Sequence, residues 1–351
     1  MKIIQLISSL ADGGAENLVK EYSIKLTKLG NDVIVVTSDK RNYGNIYSAL
    51  VNNNINIVVL SGGKVMMLMQ WLNLLFKYRP DVIHGHLKVT KLMCFSPVKT
   101  KLVYTFHTDL PRILPLWGKG FKYEIEYLLK NRKLDIILLN KKMKDDAQKF
   151  FNTDKTRILE NCINFDRYRN VSIERDVLLK RLNIPSDSFI IGHIGRFVDV
   201  KNHERLISIF EKVSKEKKNS HLLLIGEGER KDYIKKLVKE KSLKNVHFLG
   251  IRNDIPELLN TMDVFVLTSK TEGFPITVIE SQVVGVRTIV SKAVPEEAVR
   301  MPSTLRLSLE ADDECWVKAI LGNKQNYNVR YNLDDCSVDN VVDKLIDIYR
   351  N

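Results

Sequence analysis

Short aliphatic, β-branched runs recur along this chain, each followed by a loop and then a stretch with helical spacing. In the first half they are KIIQLIS (2–8), DVIVVTS (32–38), INIVVL (55–60), DVIHGH (81–86), KLVYTFH (101–107), DIILLN (135–140) and TRILEN (156–161). Most are apolar throughout rather than alternating, the mark of strands buried on both faces of a parallel sheet. The rhythm restarts with FIIGHIG (189–195), HLLLIG (221–226), NVHFLG (245–250), VFVLTS (264–269) and VRTIVS (286–291). Two α/β series of comparable length predict two doubly wound, Rossmann-like domains facing one another across a cleft.

The joint falls near 161–185, where NCINFDRYRN gives way to a charged helix and then NIPSDS. The pattern predicts a first domain over 1–165, a second over 166–336 and a closing helix over 337–351. In SVDNVVDKLIDIYR, Ser337 is the N-cap, and Val338, Val341, Val342, Leu345, Ile346 and Tyr349 form an apolar stripe. Ligands of such sheets bind outside the carboxyl ends of the strands, so the loops just after strands are the ones to read.

Composition adds little until charge is counted. The 351 residues, 44% hydrophobic, suit two cores. Cys94, Cys162, Cys315 and Cys336 lack metal-ligand or C-x-x-C spacing and read as buried thiols of a reducing cytosol. Met1-Lys2 leads into IIQLISSL, too short and too soon broken by Ala11-Asp12-Gly13-Gly14 to read as a signal peptide. VMMLMQWLNLLF (65–76), interrupted by Gln70 and Asn73, is too short to span a bilayer. The net charge of +13 is uneven: residues 1–160 carry 25 Lys and Arg against 14 Asp and Glu, residues 161–351 carry 30 against 28. The basic half should face something anionic: nucleic acid, a phosphorylated substrate or an acidic membrane. It holds no recognisable nucleic-acid module, which places nucleic acid last.

Several strand-end loops carry candidate chemistry. In SSLADGGAENLVKEY, Gly13-Gly14 permits close backbone approach and the following helix aims its amides at the same point, as a turn device or an anion site. It is not G-x-G-x-x-G, which argues against a dinucleotide. In GHIGRFVDVKNHERL, Arg196 and Lys201 stand five residues apart before a helix, a receptor for pyrophosphate. IGEGER (225–230) has glycines, but Glu227 and Glu229 carry the wrong sign for a phosphate cradle, so it reads as a strand–helix turn. His107 ends a strand and fits a structural or a functional role. His84 and His86 share a strand face, lack a third ligand and read as lining or core. No D-x-D pair follows a strand, so no divalent cation has an evident home; Arg196 and Lys201 replace one electrostatically.

LTSKTEGFPITVIES (267–281) is the richest loop. Pro275 suits a helix start, leaving the amides of Ile276 and Thr277 directed at an anion. Glu280 then projects towards the ribose of a nucleotide whose phosphates sit on that terminus, while Glu272 meets the group beyond the phosphates. Capping and exposure would explain each acid separately, but not their shared layout.

These features together resemble the retaining glycosyltransferases of family 4, which have the GT-B fold, and among them bacterial capsular and exopolysaccharide enzymes. The resemblance spans essentially the whole chain through GGAE (13–16), HT (107–108), GRFVDVK (195–201), FLGIRNDIPELL (248–259), DVFVLTSKTEGFPITVIE (263–280) and the helix ending in Tyr349. It implies that Arg196 and Lys201 bind the donor diphosphate without metal or other cofactor. It further implies that Glu272 meets sugar hydroxyls, Glu280 the ribose, and Gly273, Phe274, Pro275, Ile276 and Thr277 the donor. His107 would lie by the sugar, Gly13 and Gly14 near the diphosphate or sugar, and Ile251 and Arg252 by the base. The final helix would cross back onto the first domain. Two departures stand out: Cys162 where the family favours glycine, and Val286-Arg287-Thr288 in place of a Pro-containing turn.

The expected activity is transfer of a hexose or N-acetylhexosamine from a nucleotide-diphosphate sugar, UDP-sugar foremost, to a lipid-linked oligosaccharide in surface polysaccharide synthesis. The expected location is cytoplasmic and peripheral on the anionic inner membrane face. LPRILPLWGKGFKYEIEYLLKNRK (110–133), mixing aromatics and cations, is the segment expected to meet that face, or else an ordinary helix packed on the sheet. The alternatives are a GT-B nucleotide-sugar epimerase, disfavoured by the intact pair of glutamates, and an inactive GT-B partner subunit, which would lack equivalents of Arg196, Lys201 or Glu272.

Overall fold

The computed structural model describes residues 1–11, 13–39, 44–171, 173–322 and 333–351. It divides into two compact units, Met1–Ile163 with Asp334–Asn351, and Asn164–Leu333. In the first unit seven strands lie parallel: β1 Lys2–Ile7, β2 Asp32–Thr37, β3 Asn56–Val59, β4 Val82–His86, β5 Lys101–Thr105, β6 Asp135–Leu138 and β7 Thr156–Ile158. Their order is β3-β2-β1-β4-β5-β6-β7. The chain therefore winds outward from β1, returns to β4 and winds the other way, which puts the topological switch point between β1 and β4.

The second unit repeats the scheme with β8 Phe189–Ile194, β9 Ser220–Ile225, β10 Val246–Gly250, β11 Val264–Leu267, β12 Arg287–Ser291 and β13 Thr304–Leu307. The order β10-β9-β8-β11-β12-β13 places its switch point between β8 and β11. Every apolar run read as a strand forms one, and both sheets are doubly wound and parallel, as the pattern predicts. One strand escaped the pattern. TLRL of β13 lies at the sheet edge, is fully buried only at Thr304, and so shows no continuous apolar run.

The closing helix, Val338–Arg350, belongs to the first unit. Ser337 Oγ caps it by accepting from the Asn340 N–H at 3.2 Å. The backbone of Ile163 exchanges 3.0 Å hydrogen bonds with the Cys336 carbonyl and the Val338 amide, fixing where the returning chain joins. The buried stripe is Val338, Val341, Val342, Leu345, Ile348 and Tyr349. Ile348 takes the place predicted for Ile346, which is only half-buried, because positions 341, 345, 348 and 349 keep to one side of a 3.6-residue helix. Cys162 packs into the same core cluster. The expectation of four buried thiols is corrected: Cys162 and Cys336 are buried, Cys94 is half-buried and Cys315 is exposed.

The helix Leu110–Arg132 is interrupted at Gly118, whose φ of 78° no helical residue adopts. It buries Leu110, Ile113, Phe121, Ile125 and Leu128, and Trp117 stacks edge-on against Phe121. This stretch packs one apolar side inward and leaves Leu116, Tyr123 and Tyr127 exposed. Among the described residues, no helix is long and apolar enough to cross a membrane.

Candidate functional site

In the second unit, the loops after β8 and β11 meet because their strands are neighbours at the switch point. They are stitched together by the Lys270 amide donating to the Val200 carbonyl at 2.8 Å and by Thr268 Oγ1 donating to the Asn202 carbonyl at 3.0 Å. Asn202 sits at φ 54°, a left-handed turn asparagine tolerates, and starts the helix His203–Glu216. This turn directs Lys201 across the switch point, where its Nζ pairs with Glu272 Oε1 at 2.6 Å. Both side chains are largely shielded, at 19% and 11% exposure, so the pair is less screened than a surface ion pair.

Arg196, on the same loop, is exposed and makes no ion pair with a described residue. Lys270 instead pairs with Asp199 at 2.9 Å. The helix Ile276–Val284 begins directly after Pro275, leaving its first amides without intrahelical acceptors. Gly273, Phe274 and Pro275 are buried ahead of it, and Ile276 and Thr277 are half-buried. Glu280 accepts a hydrogen bond from the Tyr168 hydroxyl. Ile251 is exposed, and Arg252 is held by Asp254 through Nε at 2.8 Å and Nη2 at 2.5 Å. Thus Lys201 and Glu272 are in direct contact, Arg196 shares Lys201's loop, Glu280 is engaged one turn into the helix, and Arg252 is internally paired.

Sequence reasoning missed three contributors here. The first is Tyr168. The second is the pair Gly226 and Gly228: a Cβ on Gly226 would lie 2.2 Å from the Gly195 carbonyl oxygen, and one on Gly228 2.6 Å from that of Phe197. Both have positive φ, so the IGEGER turn acts as a backstop pressed on the Arg196 loop. The third is His193, fully buried in β8. Its Nδ1 donates to the Val266 carbonyl at 2.9 Å while Nε2 has no partner among the described residues. Burial pushes His193 down to about 4, and burial, then the nearby charges, pushes His203 down to about 2. A lone polar residue inside an apolar strand was the available signal for His193.

The first unit has a neutral counterpart at its own switch point. His86 closes β4, and His107 follows β5. His86 Nδ1 lies 3.0 Å from His107 Nε2, and its Nε2 lies 2.9 Å from Gln5 Oε1 on β1. Gln5 Nε2 donates to the Tyr349 hydroxyl at 3.1 Å, which sits 2.8 Å from His84 Nδ1; His84 Nε2 is 2.7 Å from Thr105 Oγ1. Burial pushes all three histidines down, His107 to about 3, so the rings are neutral near pH 7.

Neutrality and the Gln5 orientation then fix the tautomers. Gln5 Oε1 must receive the His86 Nε2 proton, so His86 Nδ1 accepts from His107 Nε2–H. His107 Nδ1 is left as a lone pair. All four nitrogens of His84 and His86 have protein partners, a core role with an outlet at His107. Gly13 caps the helix Gly14–Lys28 from extended backbone, φ −140°, and a Cβ there would meet the Glu16 carboxylate.

Two doubly wound units of this strand order make this a protein of the GT-B fold class. Residues 12–167 match the family described as Glycosyltransferase Family 4, and residues 174–302 match Glycosyl transferases group 1. The chain belongs to these glycosyltransferases. It is similar to EpsF of Bacillus subtilis (strain 168), a glycosyltransferase by provisional name, at 30% identity over 169 residues, 48% of this chain and 44% of that protein. It is also similar to the UDP-Gal:alpha-D-GlcNAc-diphosphoundecaprenol alpha-1,3-galactosyltransferase of Escherichia coli, at 29% over 141 residues, 39% of this chain and 36% of that one. The chain thus spans less than half the length of these two relatives. The structure of Anabaena HepE in complex with UDP and glucose superposes with a TM-score of 0.80 over all of both chains at 17% identity, a likeness of fold.

Proposed function

We propose that this chain transfers a hexosyl or N-acetylhexosaminyl group from a UDP-sugar to a lipid-linked glycan acceptor in surface polysaccharide synthesis, at the inner membrane face, with retention at the anomeric carbon and without metal. The observation that carries the reading is the Lys201–Glu272 pair, stitched across the switch point between the loop that also carries the uncompensated Arg196 and the loop that leads into the helix Ile276–Val284. Doubly wound sheets bind nucleotides at that place. Glycosyl transfer develops negative charge on the departing diphosphate, and fixed cations with unbonded amides stabilise such charge most when preorganised. Glu272 holds Lys201 in position; once the diphosphate takes the ammonium, Glu272 is released to the sugar hydroxyls. Glu280, bonded to Tyr168, faces the ribose.

The names of similar proteins fit this chemistry: one uses UDP-Gal and a diphosphoundecaprenol acceptor, another was crystallised with UDP and glucose. A thermal-shift and calorimetric panel of nucleoside diphosphates tests the reading. UDP should bind wild type without added metal and in chelator, and Arg196→Ala should weaken it. Equal binding to the variant refutes the assignment. Donor turnover in the absence of any acceptor would favour an epimerase instead.

A further inference from the structure

The helix Lys64–Tyr78 has its apolar stripe on the wrong side for a globular protein. Trp71 and Leu75 point inward, Trp71 Nε1 donating to the Leu92 carbonyl at 2.8 Å. Yet Val65, Met69, Leu72 and Phe76, spaced 4, 3 and 4 residues apart and hence on one side, are 74%, 66%, 44% and 74% exposed. The neighbouring loop adds Phe95 at 46% and Val98 at 84%. Between Phe76 and Phe95 lies a groove of about 730 Å³ floored by Leu75 and Pro80. A helix apolar all round belongs under a cover, and contiguous exposed patches of this kind mark interaction surfaces.

The charges around the patch say what covers it. Exposed Lys64 opens the helix, exposed Lys77 and Arg79 close it, and exposed Lys99 borders the groove. From residue 61 to residue 100 there are six Lys and Arg and a single acid, Asp81, whose carboxylate is taken by the Lys2 amide at 2.7 Å. An apolar stripe rimmed by cations complements an anionic lipid surface: side chains enter the acyl boundary while ammonium and guanidinium groups remain at the headgroups. The helix Leu110–Arg132 is the poorer candidate, because it spends Leu110, Ile113, Phe121, Ile125 and Leu128 on the core, whereas the helix Lys64–Tyr78 buries only Trp71 and Leu75.

We propose that the exposed face of the helix Lys64–Tyr78, with Phe95 and Val98, docks this chain onto an anionic bilayer. The proposal rests on the lipid-linked acceptor of the reading above and locates where that acceptor's membrane is met. The test is cosedimentation of the full chain with vesicles of equal parts phosphatidylglycerol and phosphatidylcholine, and with phosphatidylcholine alone. Wild type should bind the first, be released by high salt, and ignore the second. Met69→Ser with Phe76→Ser should lower partitioning by roughly tenfold or more. Lys64→Gln, Lys77→Gln and Arg79→Gln together should lower it by roughly a hundredfold, about fivefold per charge. Leu116→Ser with Tyr123→Ser, on the other helix, should bind like wild type. All variants should keep the wild-type melting temperature and circular dichroism.

No wild-type binding, unchanged binding by both variants of this helix, or loss confined to the Leu116/Tyr123 variant overturns the proposal. So does a wild-type dimer, seen by light scattering, that the Met69/Phe76 variant dissolves, since the face would then join two copies. UDP binding is measured alongside: its absence in wild type refutes the donor site, whereas vesicle binding reports on the surface alone.

Discussion

Tyr349→Phe isolates the buried network of the first unit, because it deletes one oxygen and keeps the ring. The hydroxyl serves two groups, Gln5 Nε2 at 3.1 Å and His84 Nδ1 at 2.8 Å, on side chains with no exposure of their own. Water cannot replace the lost partner, so both are left unsatisfied. Each such group costs about 1–3 kcal/mol, and the removed hydroxyl returns part of its own desolvation, which leaves an expected loss of about 2–4 kcal/mol. The ring's packing among Tyr22, Val342 and Leu345 is retained, so the cavity cost of about 3–5 kcal/mol belongs only to a control, Tyr349→Ala. Native-state hydrogen exchange at amides of β1 and β4 reads this loss within the first unit and needs no two-state transition of the whole chain. A second readout follows the protons. If Gln5 turns to regain a partner, His86 Nε2 loses its acceptor, and the ¹⁵N shifts of His86 and His107 move away from Nε2–H tautomers. Protection reduced by less than about 0.5 kcal/mol, with unmoved histidine shifts, refutes the network.

Three further outcomes follow from the second unit and the histidines. Arg196→Ala should weaken UDP binding by roughly 10–100-fold, the worth of a hydrogen bond to a charged group, and Glu272→Gln should cut turnover by about a hundredfold, read by calorimetry and UDP release. Gly226→Ala should destabilise the chain by at least about 3 kcal/mol, since its Cβ meets the Gly195 carbonyl at 2.2 Å. Gly285→Ala, at φ 81° but in open space, should cost only about 1 kcal/mol, so equal melting temperatures for the two would refute the backstop. Lowering the pH from 7 to 5 should destabilise the fold. His193 and His203 have folded pKa values below the ordinary histidine value, so they take up protons only on unfolding, and stability falls as pH drops below about 6.5. Each contributes a loss of roughly 2 kcal/mol at pH 5, measurable as a lower urea midpoint; an unchanged midpoint refutes their neutral burial.

What the sequence discloses and what it hides divide along a physical line. Strands buried on both faces need unbroken apolar runs, so β1, β4, β6, β9 and β11 announce themselves, while β13, half-covered at an edge, does not. The strand order was not readable as such, yet it decides which loops meet. Arg196 and Lys201 were legible as cations before a helix, and Glu272 as an acid on a bend, but the meeting of Lys201 with Glu272 depends on β8 lying beside β11, where Val264 and Phe265 pair with Ile191 and Gly192, 73 residues earlier. The hydrogen-bonded network in the first unit was less legible still. His84, His86 and His107 look like isolated histidines, and Gln5 and Tyr349 like incidental polar atoms on apolar elements, until β1, β4 and the closing helix bring them into one chain of contacts. The same limit bears on the surface proposed to meet the membrane. Both 65–76 and 110–133 are rich in apolar residues, and only packing tells which of them buries more. The stretch dismissed as too short to cross a bilayer, Val65 to Phe76, is the one whose outward face is left uncovered. Length rules on spanning, but exposure rules on docking, because the free energy of lying at an interface scales with apolar area that water still touches.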